Sequence, residues 1–401
     1  MIKERLFGNE MKYLQEVLDA GFRASSGAFM MKRFEQAFSE RFGMKHGVAF
    51  VNGTATMHAA LESWGIGEGD EVIVPPLTMA STTFAVLQCN ATPVYADIDP
   101  DTFQISADSI AKNITEKTKA IITVAIFGLS PDMTPIMALA RKHGLKVLED
   151  NAECFLGKYN DQLVGTIGDC ASFSFQNSKH LTSGEGGIVI TDDDEFADKL
   201  RKVVSLGYAG VSAKSGKVTR KDIQDPNYER HAMLGWNYRM PDLCCAVALA
   251  QVENIDALVD RRMQVGKLFG EVVHPYREWF KPQFTPDNCV HSYWTFVAQL
   301  LRNDLTWHEF RDEFQSNGGD GVYACWKLTY DEPFMKHHNF LNRERYINKE
   351  RLENYRSGIC PIAEKVQPNL FQFKTNYWDF SQAEKQAEIL AKTLAHFHQK
   401  V

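Results

Sequence analysis

The chain has 401 residues, 44% of them apolar and 24% charged, with a formal net charge of −7. Such a composition suits a globular protein long enough to bury a core without covalent staples, and the acidic balance excludes nucleic acid as a main partner, because binding phosphates needs a basic face. No run reaches the roughly 18 apolar residues of a membrane span, the start from Met1 to Leu6 lacks the apolar stretch of a signal peptide, and eight scattered cysteines with no metal-ligand spacing fit a reducing, cytoplasmic setting with no metal site.

From about residue 46 to 195, short β-rich runs alternate with helical ones. Val48 to Val51 reads as a strand, and Thr54 to Trp64 carries apolar residues at helical spacing. The turn Gly65 to Asp70 is not a dinucleotide fingerprint, since its third glycine comes one residue early and no helix opens there. Strands are expected at Glu71–Val74, Pro93–Asp97, Ala120–Phe127 and Lys146–Asp150, with helices at Met79–Cys89 and Pro135–His143. This alternation predicts an α/β fold with a mostly parallel sheet covered on both faces. Ligands in such sheets bind beyond the carboxyl ends of the strands, where Asn52–Thr54 and Asp150 fall. Gly210 to Asn227, rich in Lys, Gly and Ser, reads as a mobile loop, and Pro241 to Met263 as one long helix. Beyond it the pattern becomes α+β, which places a boundary near residue 255: a large unit over 1–254 and a smaller one over 255–401.

Three features could carry chemistry. Lys179 lies between Ser174-Phe175-Gln176-Asn177-Ser178 and the glycine-rich run Gly184-Glu185-Gly186-Gly187. A lysine that forms a Schiff base needs its amine at a defined depth, which a tight turn after a strand provides; a hairpin with a solvent-facing lysine explains the same text. Asp150 ends a buried strand, where a carboxylate is costly unless paired. A protonated pyridine nitrogen is one such partner, and a helix cap or a salt bridge is another. Asn52-Gly53-Thr54-Ala55 is a glycine turn opening a helix, a place where backbone N–H groups and the helix dipole favour an anion, although simple capping needs the same residues.

Taken together these stretches resemble the DegT/StrS family of pyridoxal-phosphate (PLP) aminotransferases, of fold type I, which act on keto-sugars. The resemblance covers nearly the whole chain. It rests on Ser174 to Gly187, on the spacing of 29 residues from Asp150 to Lys179, on Gly65-Ile66-Gly67 through Asp70 to Pro75, on Gly235-Trp236-Asn237-Tyr238-Arg239-Met240, and on Cys360-Pro361-Ile362-Ala363-Glu364. The wording around Gln176 to Thr182 points to the branch acting on cyclitols and aminohydroxybenzoate precursors.

The resemblance implies a mixed, mostly parallel sheet in a large domain and a smaller α+β C-terminal domain. It implies that Lys179 holds PLP as a Schiff base and then moves protons, that Asp150 pairs with the pyridine nitrogen, and that Glu153 lies near the ring's 3-hydroxyl. Gly53, Thr54, Ala55 and Ser174 would cradle the phosphate. Asn237 would reach the phosphate from the other subunit, so that a homodimer builds composite sites. Met79 falls where the family commonly stacks an aromatic residue on the ring, and its sulfur can cover a π-face less specifically. His180 and Arg239 are candidate substrate contacts, with a structural role and an interface ion pair as their respective alternatives. Tyr323 and Trp326 would line a sugar pocket or sit in the core, as would His291 to Trp294. The implied reaction moves an amino group from glutamate or glutamine to a keto-sugar, a nucleotide-linked keto-sugar or a keto-cyclitol. Two rivals remain: a PLP-dependent sugar dehydratase, against which Lys179 argues, and a non-catalytic relative that binds cofactor or sugar as a signal.

Overall fold

The computed structural model of the protein describes residues 4–22, 29–211, 221 and 224–399. Its main sheet uses β1 (His46–Phe50), β2 (Glu71–Val74), β3 (Thr92–Tyr95), β4 (Thr118–Val124) and β5 (Lys146–Asp150). Two short strands, β6 (Lys158–Tyr159) and β7 (Gln162–Leu163), are followed by β8 (Cys170–Ser174) and β9 (Gly187–Thr191). The seven-stranded order is β1-β9-β8-β5-β4-β2-β3. Parallel pairing joins β3, β2, β4, β5 and β8, and β9 is antiparallel to both β8 and β1. Every strand except β9 therefore points the same way, and all their carboxyl ends share one edge. Strands buried on both faces need near-continuous apolar runs; Glu71–Val74, Thr92–Tyr95 and Cys170–Ser174 are buried at every position.

The strand-end placements hold because the local signals are strong. Helix Gly53–Ser63 opens directly after β1, with Asn52 as an extended N-cap whose Oδ1 accepts the Ala55 N–H at 2.8 Å. Helix Met133–His143 stops at Gly144, which adopts φ 65°. Two expected elements differ. The strand over Ala120–Phe127 ends at Val124, and the chain turns through Phe127 at φ 64°, with its N–H on Glu153. The single helix over Pro241–Met263 is two helices, Asp242–Glu253 and Ile255–Val273, broken at Asn254. Apolar periodicity continues across that break and so concealed it. The stretch from Gly210 to Asn227 lies largely outside the described residues.

A second sheet contains β10 (Phe280–Pro282), β12 (Thr295–Leu300), β13 (Val322–Ala324) and β14 (Leu370–Lys374), in the antiparallel order β10-β12-β14-β13; β11 (Cys289–Val290) pairs with β6 instead. Its core is aromatic, built on Phe269, Phe280, Phe296, Phe310, Phe371 and Phe373. The stretch 325–366 belongs elsewhere: Tyr330, Tyr355 and Cys360 join the apolar cluster of the large sheet. Tyr355 donates to the Pro93 carbonyl at 2.6 Å, and the N–H groups of Ile362 and Ala363 both donate to Asp97 at 2.9 Å. This strap carries the chain back over β2 and β3. No helix among the described residues is long and apolar enough to cross a membrane.

Candidate active site

A cavity of about 660 Å³ opens at the carboxyl edge of the main sheet. Lys179 projects into it from the connection between β8 and β9. The depth of that turn is set by backbone carbonyls held from below. Arg262, buried on the helix Ile255–Val273, donates to the carbonyls of Ser178, Lys179 and Trp294, each at 2.8 Å. Trp294 Nε1 donates to Ser178 at 2.9 Å, and the Arg5 guanidinium donates to the carbonyls of Asn177 and Lys179. Burial, with Arg5 adding repulsion, holds the Arg262 pKa well below the usual arginine range. A buried cation is tolerated where it is hydrogen-bonded, and here the carbonyls supply the bonds.

The Lys179 side chain is only 13% exposed; its Nζ lies 3.1 Å from Glu153 Oε1 and 4.3 Å over the Trp294 ring. Glu153 Oε2 accepts the Phe127 N–H at 3.0 Å. Burial pushes the Glu153 carboxyl up, and Lys179 opposes the shift. The neighbouring acids Glu149 and Asp150 divide their work by strand alternation. Glu149 accepts the N–H groups of Gly165, Ile167 and Gly168 at 2.6–2.7 Å, closing a structural turn. Asp150 lines the cavity and accepts the Thr82 hydroxyl and the Ala152 N–H, each at 3.1 Å. Burial raises its pKa too, against the Ala152 N–H, the Lys179 charge and Thr82.

At the start of helix Gly53–Ser63 the cavity is lined by Asn52, Gly53, Thr54 and Ser174. The Gly53 and Thr54 N–H groups lie in the first turn, where helix geometry provides no acceptor. Glycine is required here by close approach: a Cβ on Gly53 would sit 2.9 Å from Ser174 Cβ.

Comparison with known proteins gives this geometry a family. The model of the DegT/DnrJ/EryC1/StrS aminotransferase family matches residues 5–358. The chain belongs to this aminotransferase family. It is 41% identical over 298 residues to GDP-perosamine synthase of Caulobacter vibrioides, covering 74% of this chain and 76% of that one. It is 34% identical to L-glutamine:2-deoxy-scyllo-inosose aminotransferase of Streptomyces paromomycinus, over 74% and 70% of the two chains. In fold it matches 3-amino-5-hydroxybenzoic acid synthase with a TM-score of 0.82 at 24% identity, covering 99% and 100% of the two chains. The fold type I architecture expected from the sequence is thus present.

The far wall of the aminotransferase cavity comes from the second sheet and its loops: Tyr323, Trp326, Gln372, Lys374 and Asn376, with Met79 opposite. Trp326 lies parallel to Phe127 and to Trp294, with interplanar angles of 2° and 6°. Tyr323 and Met79 are more than half exposed at the mouth. Trp294, grouped with core aromatics on sequence grounds, and Arg262, not singled out at all, are both wall residues. Trp294 carried a polar handle that a purely apolar core would leave unmatched; nothing local marked Arg262.

Four expected residues stand apart from the cavity of their own chain. His180 is fully buried, its Nε2 lies 2.9 Å from the Ser292 carbonyl, and burial pushes its pKa well below normal, which favours the structural alternative over substrate contact. Ala55 is buried, its N–H engaged by Asn52 rather than turned to the cavity. Asn237 and Arg239 are exposed on an extended segment that does not line this cavity.

Proposed function

We propose that this aminotransferase uses pyridoxal phosphate, held by Lys179, to carry an amino group from glutamate or glutamine to a keto-sugar, nucleotide-linked keto-sugar or keto-cyclitol. The observation that carries the reading is the convergence, in one cavity, of a lysine amine, a buried carboxylate at a strand end and an anion-ready helix start. The residues fit the cofactor at each of its functional ends. The Gly53 and Thr54 N–H groups and the Ser174 hydroxyl suit a phosphate, and the tight Gly53–Ser174 approach is what shapes that cradle. Asp150 is a buried carboxylate that forms no ion pair among the described residues, the Lys179 charge only partly offsetting its burial, and a pyridinium would provide a close counter-charge. Bound there, the ring would act as an electron sink for a carbanion formed on the amino donor.

The rest of the chemistry falls to the chain. Lys179 Nζ, released from the cofactor, would carry the proton between the donor's Cα and the cofactor carbon that receives it. Glu153, 3.1 Å away, holds that amine in place by a hydrogen bond, and Trp294 supports it from its ring face. Trp326, Tyr323, Gln372, Lys374 and Asn376 provide the flat and polar surfaces that bind sugars. The GDP-perosamine synthases among the relatives favour a nucleotide-linked acceptor. In this reading residues 1–254 carry the cofactor and 255–401 form the smaller unit, and the enzyme is a cytoplasmic homodimer in which Asn237 serves the neighbour's phosphate. Its eight free cysteines suit that compartment.

The test is a visible spectrum of the purified protein. Glutamate or glutamine should convert the lysine-bound cofactor to its amine form, and one member of a panel of nucleotide-linked keto-sugars and keto-cyclitols should convert it back. No response to either donor would remove the aminotransferase reading, and deoxygenation of the sugar without amination would replace it with the dehydratase.

A further inference from the structure

Behind the phosphate cradle, the helix Gly53–Ser63 carries His58 and Glu62 one turn apart, facing away from the cavity and toward the segment 236–239. Glu62 Oε2 accepts the Trp236 indole N–H at 2.6 Å, and Glu62 Oε1 lies 3.2 Å from His58 Nε2. His58 Nδ1 lies 3.1 Å from the Tyr238 hydroxyl. The Trp236 and Tyr238 rings are stacked, 5.8 Å apart and 11° from parallel, with His58 within 5.4 and 5.9 Å of them. The backbone completes the clamp. Trp236 N–H donates to Val203, Tyr238 N–H to Val204, and Val51 N–H to the Tyr238 carbonyl, at 2.7, 3.1 and 2.8 Å.

In an extended segment, alternate side chains face opposite ways. With Trp236 and Tyr238 anchored inward, Asn237 between them must point outward, and it is exposed. His58, Glu62 and Cys89 also bring possible metal-ligand atoms within 4.8 Å of one another. Both the imidazole and the carboxylate are already engaged by the segment, however, and the Cys89 thiol lies 3.6 Å from the His58 carbonyl. His58 Nε2 has no hydrogen-bond partner and meets Glu62 only at ion-pair distance.

The geometry points to Glu62 and His58 as positioning residues that act in trans: they fix Trp236 and Tyr238 of their own chain so that Asn237 is presented to the cofactor phosphate of the partner subunit. The inference rests on the composite-site reading above. It makes an unusual demand, because damage to Glu62 should impair the neighbour's site and spare its own, although Glu62 lies on the helix whose N-terminus cradles its own phosphate.

The experiment uses verified mixed dimers and reads cofactor affinity by titrating pyridoxal phosphate into the cofactor-free protein, following the Schiff-base absorbance that only a lysine-bearing site gives. The Glu62→Ala homodimer should bind roughly five- to tenfold more weakly than wild type, the scale of one lost hydrogen bond of ordinary net strength. In a dimer of one Glu62→Ala chain and one Lys179→Ala chain, the single lysine-bearing site receives Asn237 from the chain with an intact clamp. Its affinity should return to the wild-type value. Affinity that stays weakened in this mixed dimer means that Glu62 acts within its own chain, and it overturns the inference. Trp236→Phe, which removes the indole N–H together with part of the ring, should show the same trans pattern and serves if Glu62→Ala does not fold. The Asn237→Ala homodimer separates the two layers. Unchanged affinity there overturns the composite-site reading and this inference together, whereas weakened affinity there beside an unrestored mixed dimer overturns this inference alone.

Discussion

The two ends of the cavity are built in different ways. At the proposed cofactor end Asp150, Glu153 and Lys179 are buried or nearly so and have their hydrogen bonds assigned: Asp150 to Thr82 and Ala152, Glu153 to Phe127 and Lys179, and the Lys179 turn to Arg262. At the proposed acceptor end the side chains come from β13, β14 and neighbouring loops, Tyr323 is largely exposed, and Lys374 is paired with Asp320 at 2.6 Å. The first end is pre-organised for one molecule, as tuned ionisable groups require. The second offers aromatic faces and amides that can be rearranged with little cost to the fold. A family that keeps one cofactor and varies its acceptor should divide its cavity in this way.

Substitutions at the two ends should therefore fail differently. The largest effect belongs to Lys179→Ala, which should abolish multiple turnover, a loss of at least about a thousandfold, while thermal unfolding stays close to wild type because the side chain makes little of the core. Sustained turnover in that variant would contradict the assignment.

Asp150→Asn comes next. Without the carboxylate to favour a protonated ring, cofactor affinity and rate should each fall by roughly ten- to a hundredfold. The cofactor-free protein should respond the other way. A carboxyl whose pKa is raised by burial keeps in the folded state a proton that the unfolded chain releases. Its contribution is therefore most favourable at low pH and is lost as pH rises through the window between the ordinary carboxylate range and the raised value. Asp150→Asn should raise the melting temperature of the apoprotein at neutral pH and flatten its slope across that window, measurable by melts from mildly acidic to neutral pH. An unchanged slope would mean that Asp150 is not a strained acid.

Trp326→Ala tests the acceptor end. Rapid-mixing measurement of the two half-reactions should show acceptor kcat/KM reduced by roughly tenfold and the donor half-reaction within about twofold of wild type. Equal loss in both would erase the distinction between the ends. The smallest effect is expected for Met79→Phe at the cavity mouth: pyridoxal phosphate should bind about two- to fivefold more tightly if a ring stacks where the thioether now lies, read in the same absorbance titration.

Much of the cofactor end was legible because its parts are local. A glycine after a strand, a carboxylate closing an apolar run and a lysine before a glycine-rich return each leave a mark within a few residues, and their order along the chain follows the strands. Met79, Glu153 and Ser174, which the family resemblance implied, line the same cavity. His180 shows the limit of adjacency: one residue from Lys179, it turns the opposite way into the core. Arg262 and Trp294 lie more than eighty residues from the turn they hold, and only packing brings them there.

The sequence by itself determined the class of fold, the edge of the sheet where chemistry occurs and which lysine and which acid lie there, because alternation, capping and turn formation depend on neighbouring residues. The tertiary structure decided which distant arginine and tryptophan set the depth of the lysine, and that Asn237 faces outward between two anchored rings. Those outcomes depend on contacts between residues far apart in the chain, where burial and hydrogen-bond satisfaction are settled by the whole fold at once.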